Sequence, residues 1–312
     1  MRRGSSGLNL LLGVDKPCGL SSHDVVNRVR GILKERRVGH AGTLDPAATG
    51  VMVVGVGQGT RLMGLLTAET KSYVATIVFG TATNTDDEEG EVTDRKEVPE
   101  ALSVPSVATE VLKRFVGPQL QTPPAYSAIS IDGRRAYQRA RAGEDVSLEA
   151  RPIDVTEAML LGIDRRDTDG ALCWTCAFTV SKGTYIRAIA RDLGISAGTC
   201  AHLCVLRRTA SGSVNLGSCV TLERLSELGA ERVQEFCLDP VAALGFARCD
   251  LSESELEDVK CGRRLSRRGR ELEEGELVCM VGKDRLYGVW EARDRSVRPK
   301  VSFPQGISGV GV

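Results

Sequence analysis

Thirteen residues, Val38-Gly39-His40-Ala41-Gly42-Thr43-Leu44-Asp45-Pro46-Ala47-Ala48-Thr49-Gly50, hold one carboxylate in a run of small side chains. Gly39, Gly42 and Gly50 have no Cβ, so the backbone can bend tightly and a bulky substrate can approach it. Pro46 fixes its own φ and biases Asp45 towards an extended backbone. The loop therefore presents Asp45 instead of burying it inside an element, and a carboxylate so presented can act as a nucleophile. The same residues suit an ordinary Asx turn leading out of a loop, and on these residues alone the two readings stand level.

The flanking elements follow from hydrophobic pattern. Leu8-Asn9-Leu10-Leu11-Leu12-Gly13-Val14 reads as a buried strand that ends in the turn Asp15-Lys16-Pro17-Cys18-Gly19. Ser21 or Ser22 caps a helix with an apolar stripe of Val25, Val26, Ile32 and Leu33. After the Asp45 loop, Val51–Val56 is a continuous apolar run, hence a strand buried on both faces, followed by a turn into a helix over 60–66. Gly55-Val56-Gly57-Gln58-Gly59 fits neither nucleotide fingerprint and no Lys-Ser/Thr follows, which argues against a nucleotide-dependent enzyme. Residues 71–79 alternate as a strand, as do 171–180, and 108–115 reads as a helix. Residues 122–128 carry Pro123-Pro124 and must be extended. Asp86 to Asp94 is an acidic loop, expected to be a solvated connection turned away from any phosphate backbone.

Four stretches, in order, resemble the TruB family of tRNA pseudouridine synthases: Asp15-Lys16-Pro17-x-Gly19, the Asp45 loop, Lys71-x-Tyr73, and Ser181-Lys182-Gly183-Thr184-Tyr185-Ile186-Arg187. The resemblance covers most of the chain. It implies an α+β catalytic domain over 1–247, built on a mostly antiparallel mixed sheet flanked by helices. An RNA-binding insertion at about 118–150 would close on the tRNA arm, and a small β-rich PUA-like domain with the C-terminal tail would occupy 248–312. The implied reaction isomerises uridine 55 in the T arm of tRNA, with no cofactor and no metal, on a flipped-out base.

The same resemblance assigns roles. Asp45 would be the catalytic carboxylate, and because a buried lone carboxylate resists ionisation, a cation beside it is expected. Arg187 is the candidate, since its planar fork can pair bidentately with Asp45. Tyr73 would contact the target uracil and is a candidate acceptor of the C5 proton. Tyr185 and Leu206 would line the pocket, and His40 would fill the space the flipped base leaves. Lys16 and Lys71 are phosphate contacts or structural residues. Read without the resemblance, Arg187 is a surface arginine, the tyrosines pack in a core, and His40 is a satisfied loop histidine.

Composition limits the alternatives. With 312 residues, 42% hydrophobic and 26% charged, the chain is of the soluble globular class. Its formal net charge is zero, so RNA would have to be held by local patches. Two such patches are Arg134, Arg135, Arg139 and Arg141 with Tyr126 and Tyr137, and the run Arg263, Arg264, Arg267, Arg268, Arg270. Each also reads as an ordinary solvated face. Ten scattered cysteines without a secretory signal indicate reduced thiols. Cys173 and Cys176 have zinc-knuckle spacing but would point to opposite faces of a strand, and buried structural thiols are the preferred reading. Met1 to Gly7 reads as a loose leader. No segment has the length of a membrane span, which gives cytoplasm as the expected location; the resemblance implies tRNA as the partner, and a monomer is expected. Competing readings are a guide-RNA-dependent synthase acting on ribosomal RNA, and a tRNA-binding or folding module with secondary or no catalysis.

Overall fold

The computed structural model describes residues 6–67, 70–131, 133–266 and 271–311. Most of the expected leader, and Arg267, Arg268 and Arg270 of the second basic run, lie outside these residues. In chain order the principal elements begin with β1 (Leu10–Lys16), α1 (Ser22–Leu33), β2 (Val38–Ala41), β3 (Thr49–Val56) and β4 (Lys71–Phe79). There follow α2 (Pro105–Lys113), β5 (Gly117–Gln121), β6 (Arg151–Arg165), β7 (Leu172–Val180), α3 (Ile186–Ser196) and β8 (Ala201–Ser211). The last are α4 (Leu222–Arg232), β9 (Ala247–Asp250), α5 (Glu253–Lys260), β10 (Leu277–Gly282), β11 (Arg285–Arg293) and β12 (Ser296–Ser308). Contacts divide the chain into two compact units, 1–69 with 210–312, and 70–209.

In the first unit β1 pairs antiparallel with β3, Leu10 opposite Val56 and Lys16 opposite Gly50. β2 folds back on β3, with His40 opposite Val54, so 42–48 is the loop of a hairpin. The apolar runs of β1 and β3 are buried on both faces, as their composition requires. Leu10, Leu12, Val14, Met52 and Val54 pack with Val25, Val26 and Val29 of α1 and Leu225 of α4. Leu11, Val51 and Val53 pack with Val281, Leu286, Val289 and Phe303 of a five-stranded sheet. That sheet has the order β9-β10-β11-β12 with the short strand Leu265–Ser266 outermost, and only β9–β10 is parallel. The Arg61 guanidinium donates to the Ser302 carbonyl and lies 5.9 Å from the Phe303 ring centre. α1 starts where expected: Ser21 caps it, accepting from Asp24 N, while Asp24 accepts from Ser21 N.

The second unit is a sheet of order β8-β4-β7-β6-β5. β4–β7, β7–β6 and β6–β5 are all antiparallel. Trp174 and Phe79 meet with ring centres 4.6 Å apart, and the Trp174 indole donates to the Leu102 carbonyl at 3.0 Å. β5 and β6 are adjacent partners, so 122–150 is an excursion from one sheet edge. It carries a small hairpin, Ser130–Ile131 with Arg134–Arg135, and the short helix Ala136–Arg141. Among the described residues no helix is long and apolar enough to cross a membrane.

Candidate functional site

The Asp45 loop is pinned from both sides. Ser22, buried at the start of α1, accepts from Leu44 N at 2.8 Å and donates to Leu44 O at 3.0 Å. Leu44 itself is buried, which anchors the residue before Asp45. On the other side Lys16 is fully buried at the end of β1. Its ammonium donates to the carbonyls of Pro17 (3.0 Å), Pro46 (3.0 Å) and Ala48 (2.6 Å). Gly19 N also donates to Pro46 O at 2.9 Å, and Ala48 N closes a turn on Asp45 O at 3.1 Å. Gly42 and Gly50 have φ of 84° and 104°, a backbone that residues with a Cβ rarely adopt. Asp45 stays half-buried between these anchors, and His40 is half-buried on β2. Of the two readings of Lys16, phosphate contact or structural residue, its burial favours the structural one: three carbonyls accept from the ammonium.

The other candidates lie in the second unit. Lys71 and Tyr73 share one face of β4, opposite Val180 and Phe178 of β7, and both are buried. Tyr185 is half-buried at the N-terminus of α3, which packs on β4. Its backbone is gripped by one side chain: Gln121 accepts from Tyr185 N at 2.9 Å and donates to Tyr185 O at 3.1 Å. Arg187, in the first turn of α3, is buried rather than a surface arginine. It donates to the Thr85 carbonyl and to the Tyr126 carbonyl, each at 3.0 Å, and its Nη1 lies 3.5 Å from Asp87 Oδ2. Leu206 is half-buried on β8.

The acidic stretch corrects another expectation. Glu88, Glu89, Glu91 and Asp94 are exposed, but Asp86 and Asp87 are half-buried, and Asp86, Asp87 and Glu88 each face a basic side chain. Asp86 accepts from Arg191 Nη1 at 2.9 Å. Glu88 accepts from Arg166 Nη1 at 2.7 Å and faces His202 Nε2 at 2.9 Å. Although burial opposes the charge on Glu88, the bonds from His202 and Arg166 hold its carboxyl below the ordinary value. Sequence reading missed these partners because the basic groups come from α3, from β8 and from the turn after β6, 78 to 114 residues on in the chain, a separation to which local pattern is blind. Gln121 likewise gives no signal and Ser22 reads only as a possible helix cap, since each acts through the backbone of a distant residue. In the insertion, Arg134 and Arg139 pair with Glu144 at 2.8 Å each, and Arg141 lies 5.7 Å from the Tyr137 ring centre. The strand thiols have ordinary surroundings: Cys173 is opposite Val78, and burial pushes Cys176, opposite Ala75, up to about 12.

Three comparisons bear on this geometry. The profile described as TruB family pseudouridylate synthase (N terminal domain) matches residues 30–186. The profile for the tRNA pseudouridylate synthase B C-terminal domain matches 187–243. A protein of Mycobacteroides abscessus named tRNA pseudouridine synthase B is 45% identical over 279 residues, 89% of this chain and 91% of that protein. Its namesake in Leifsonia xyli subsp. xyli is 42% identical over 313 residues, covering 96% and 98%. Among solved structures, a chain in the crystal structure of a Cbf5-Nop10-Gar1 complex superposes with TM-score 0.72 at 24% identity, over 96% of this chain and 87% of that one, a likeness of fold.

Proposed function

The chain belongs to the TruB family of pseudouridylate synthases, and from that premise we propose that it isomerises uridine 55 in the T arm of tRNA. In this reaction the N1–C1′ bond breaks, the uracil turns, and a C5–C1′ bond forms. The C5 proton is lost and N1 gains one, so no oxidant, reductant or cofactor enters the balance. Asp45 supplies the carboxylate, by attack or by assisting the departure of the base. The observation that carries this reading is the pinned loop: Ser22 on Leu44 and Lys16 on Pro46 and Ala48 fix the backbone on either side of a carboxylate that is itself left half-buried. Arg187 favours the ionised carboxylate, Tyr73 contacts the uracil and takes the C5 proton, and Tyr185 and Leu206 wall the base. His40 fills the vacated place in the RNA, and Lys71, like Lys16, supports the strand end from within. The C-terminal sheet and the 122–150 excursion hold the arm, with the chain acting as a cytoplasmic monomer.

The position is tested by treating reacted tRNA transcripts with a carbodiimide that leaves alkali-stable adducts on pseudouridine, then mapping stops in primer extension. One stop reporting position 55, absent when that uridine is replaced by cytidine, is the expected result. A stop elsewhere, or none on an isolated T-arm hairpin, would contradict the assignment of the T arm as the substrate element.

A further inference from the structure

Arg187 and Arg191 stand one turn apart on α3, so their side chains leave the same side of the helix. Each grips the same two segments. Arg187 holds the Thr85 carbonyl and the Tyr126 carbonyl. Arg191 donates from Nη1 to Asp86 at 2.9 Å and from Nη2 to the Thr122 carbonyl at 2.8 Å, while its Nε is aligned by Asp192 at 2.9 Å. The turn at 85–86 and the extended piece 122–126 are thus each tied twice to one helix face. The Asp86 backbone needs such support. Its φ is 61°, in the left-handed region, which a residue with a Cβ adopts less readily than glycine. Burial pushes the Asp86 carboxyl above its ordinary range, and the Arg191 charge is the largest influence working against that. Leu203 N adds one backbone bond to Asp86 O at 3.0 Å.

The geometry points to Arg191 as a positioning residue: through Asp86 and Thr122 it fixes the two carbonyls, of Thr85 and Tyr126, that orient Arg187. The Arg191 guanidinium is engaged by Asp86, Thr122 and Asp192. Its effect passes through the aim of the Arg187 guanidinium, and so rests on the proposed role of Arg187 in the isomerisation. Lysine at 191 keeps the ion pair with Asp86 but lacks the fork that reaches Thr122 at the same time.

The test is single-turnover release of tritium from C5-labelled tRNA at saturating enzyme, with tRNA affinity measured alongside by filter binding. Arg191→Gln should slow release roughly tenfold to a hundredfold, the scale of a small misplacement of a catalytic group. Its Kd should stay within about twofold of the wild type, the mark of an interaction felt only in the reaction step. Arg191→Lys should recover part of the rate. Adding Arg191→Gln to Arg187→Lys should cost little further, because both changes act at one point. Asp86→Asn, which preserves shape, should give the same signature and serves if Arg191→Gln does not fold. An unchanged rate in the folded variants, a loss confined to Kd, or full multiplication of the two losses would overturn the inference. A wild type that releases no tritium would instead overturn the proposed function.

Discussion

Lys16 shows at the scale of one residue how the loop is held. A fully buried ammonium is tolerated only when its donors are satisfied, and here three carbonyls satisfy it. Lys16→Met keeps the apolar stem and leaves those carbonyls without the donor. We expect a loss of about 2–4 kcal/mol in urea unfolding, together with slower isomerisation from a loosened Asp45 loop. A loss under about 0.5 kcal/mol, the range of an ordinary surface change, would show that the loop does not lean on Lys16. At this scale the sequence was most legible where chemistry is local. The run around Asp45 shows its small residues and its proline in one glance. Lys16 stays open between phosphate contact and structural residue because burial is not written in a side chain's type. Asp86 to Glu88 read as solvated because their basic partners, Arg166, Arg187, Arg191 and His202, come from later and distant parts of the chain.

Among elements, α3 is tied to the 85–86 turn and the 122–126 segment by Arg187 and Arg191, and it meets the start of β8 at a glycine. A Cβ on Gly194 would overlap the backbone of Cys200 and Ala201. Alanine is the better helix former by about 1 kcal/mol, yet Gly194→Ala should destabilise by about 1–3 kcal/mol in thermal unfolding, because backbone cannot yield as a flexible side chain does. A stabilised variant would mean that α3 does not sit this close to β8. The elements that sequence revealed are those with clean periods: β4 alternates from Lys71 to Ile77, and α1 has both its stripe and its cap. β6, β8 and β12 were not legible. β6 mixes Asp154, Thr156 and Glu157 with Met159 and Leu161, is exposed along much of its length, and is interrupted by two register shifts against β7. Its strand character comes from pairing with β5 and β7, a non-local term that period alone does not contain.

For the whole molecule, the first and last parts of the chain form one unit around β1 and β3, and the middle forms the other. A continuous apolar run such as Val51–Val56 announces burial on both faces but not which later segment supplies the second cover. Here that cover is the five-stranded sheet from the C-terminal end of the chain. Zero net charge gives the molecule no global pull on a polyanion, so the proposed grip on an RNA arm would have to come from local patches of charge. The central claim is that this chain moves a uracil from N1 to C5 attachment by way of Asp45. Forming the C5–C1′ bond expels the C5 hydrogen, so the most direct measurement is tritium release from C5-labelled tRNA by the wild type and by Asp45→Asn. Release by the wild type, and none above background by a folded, tRNA-binding Asp45→Asn, is the predicted result. Equal release by both would contradict the assignment of Asp45, and no release by a wild type that binds tRNA would contradict the reaction itself.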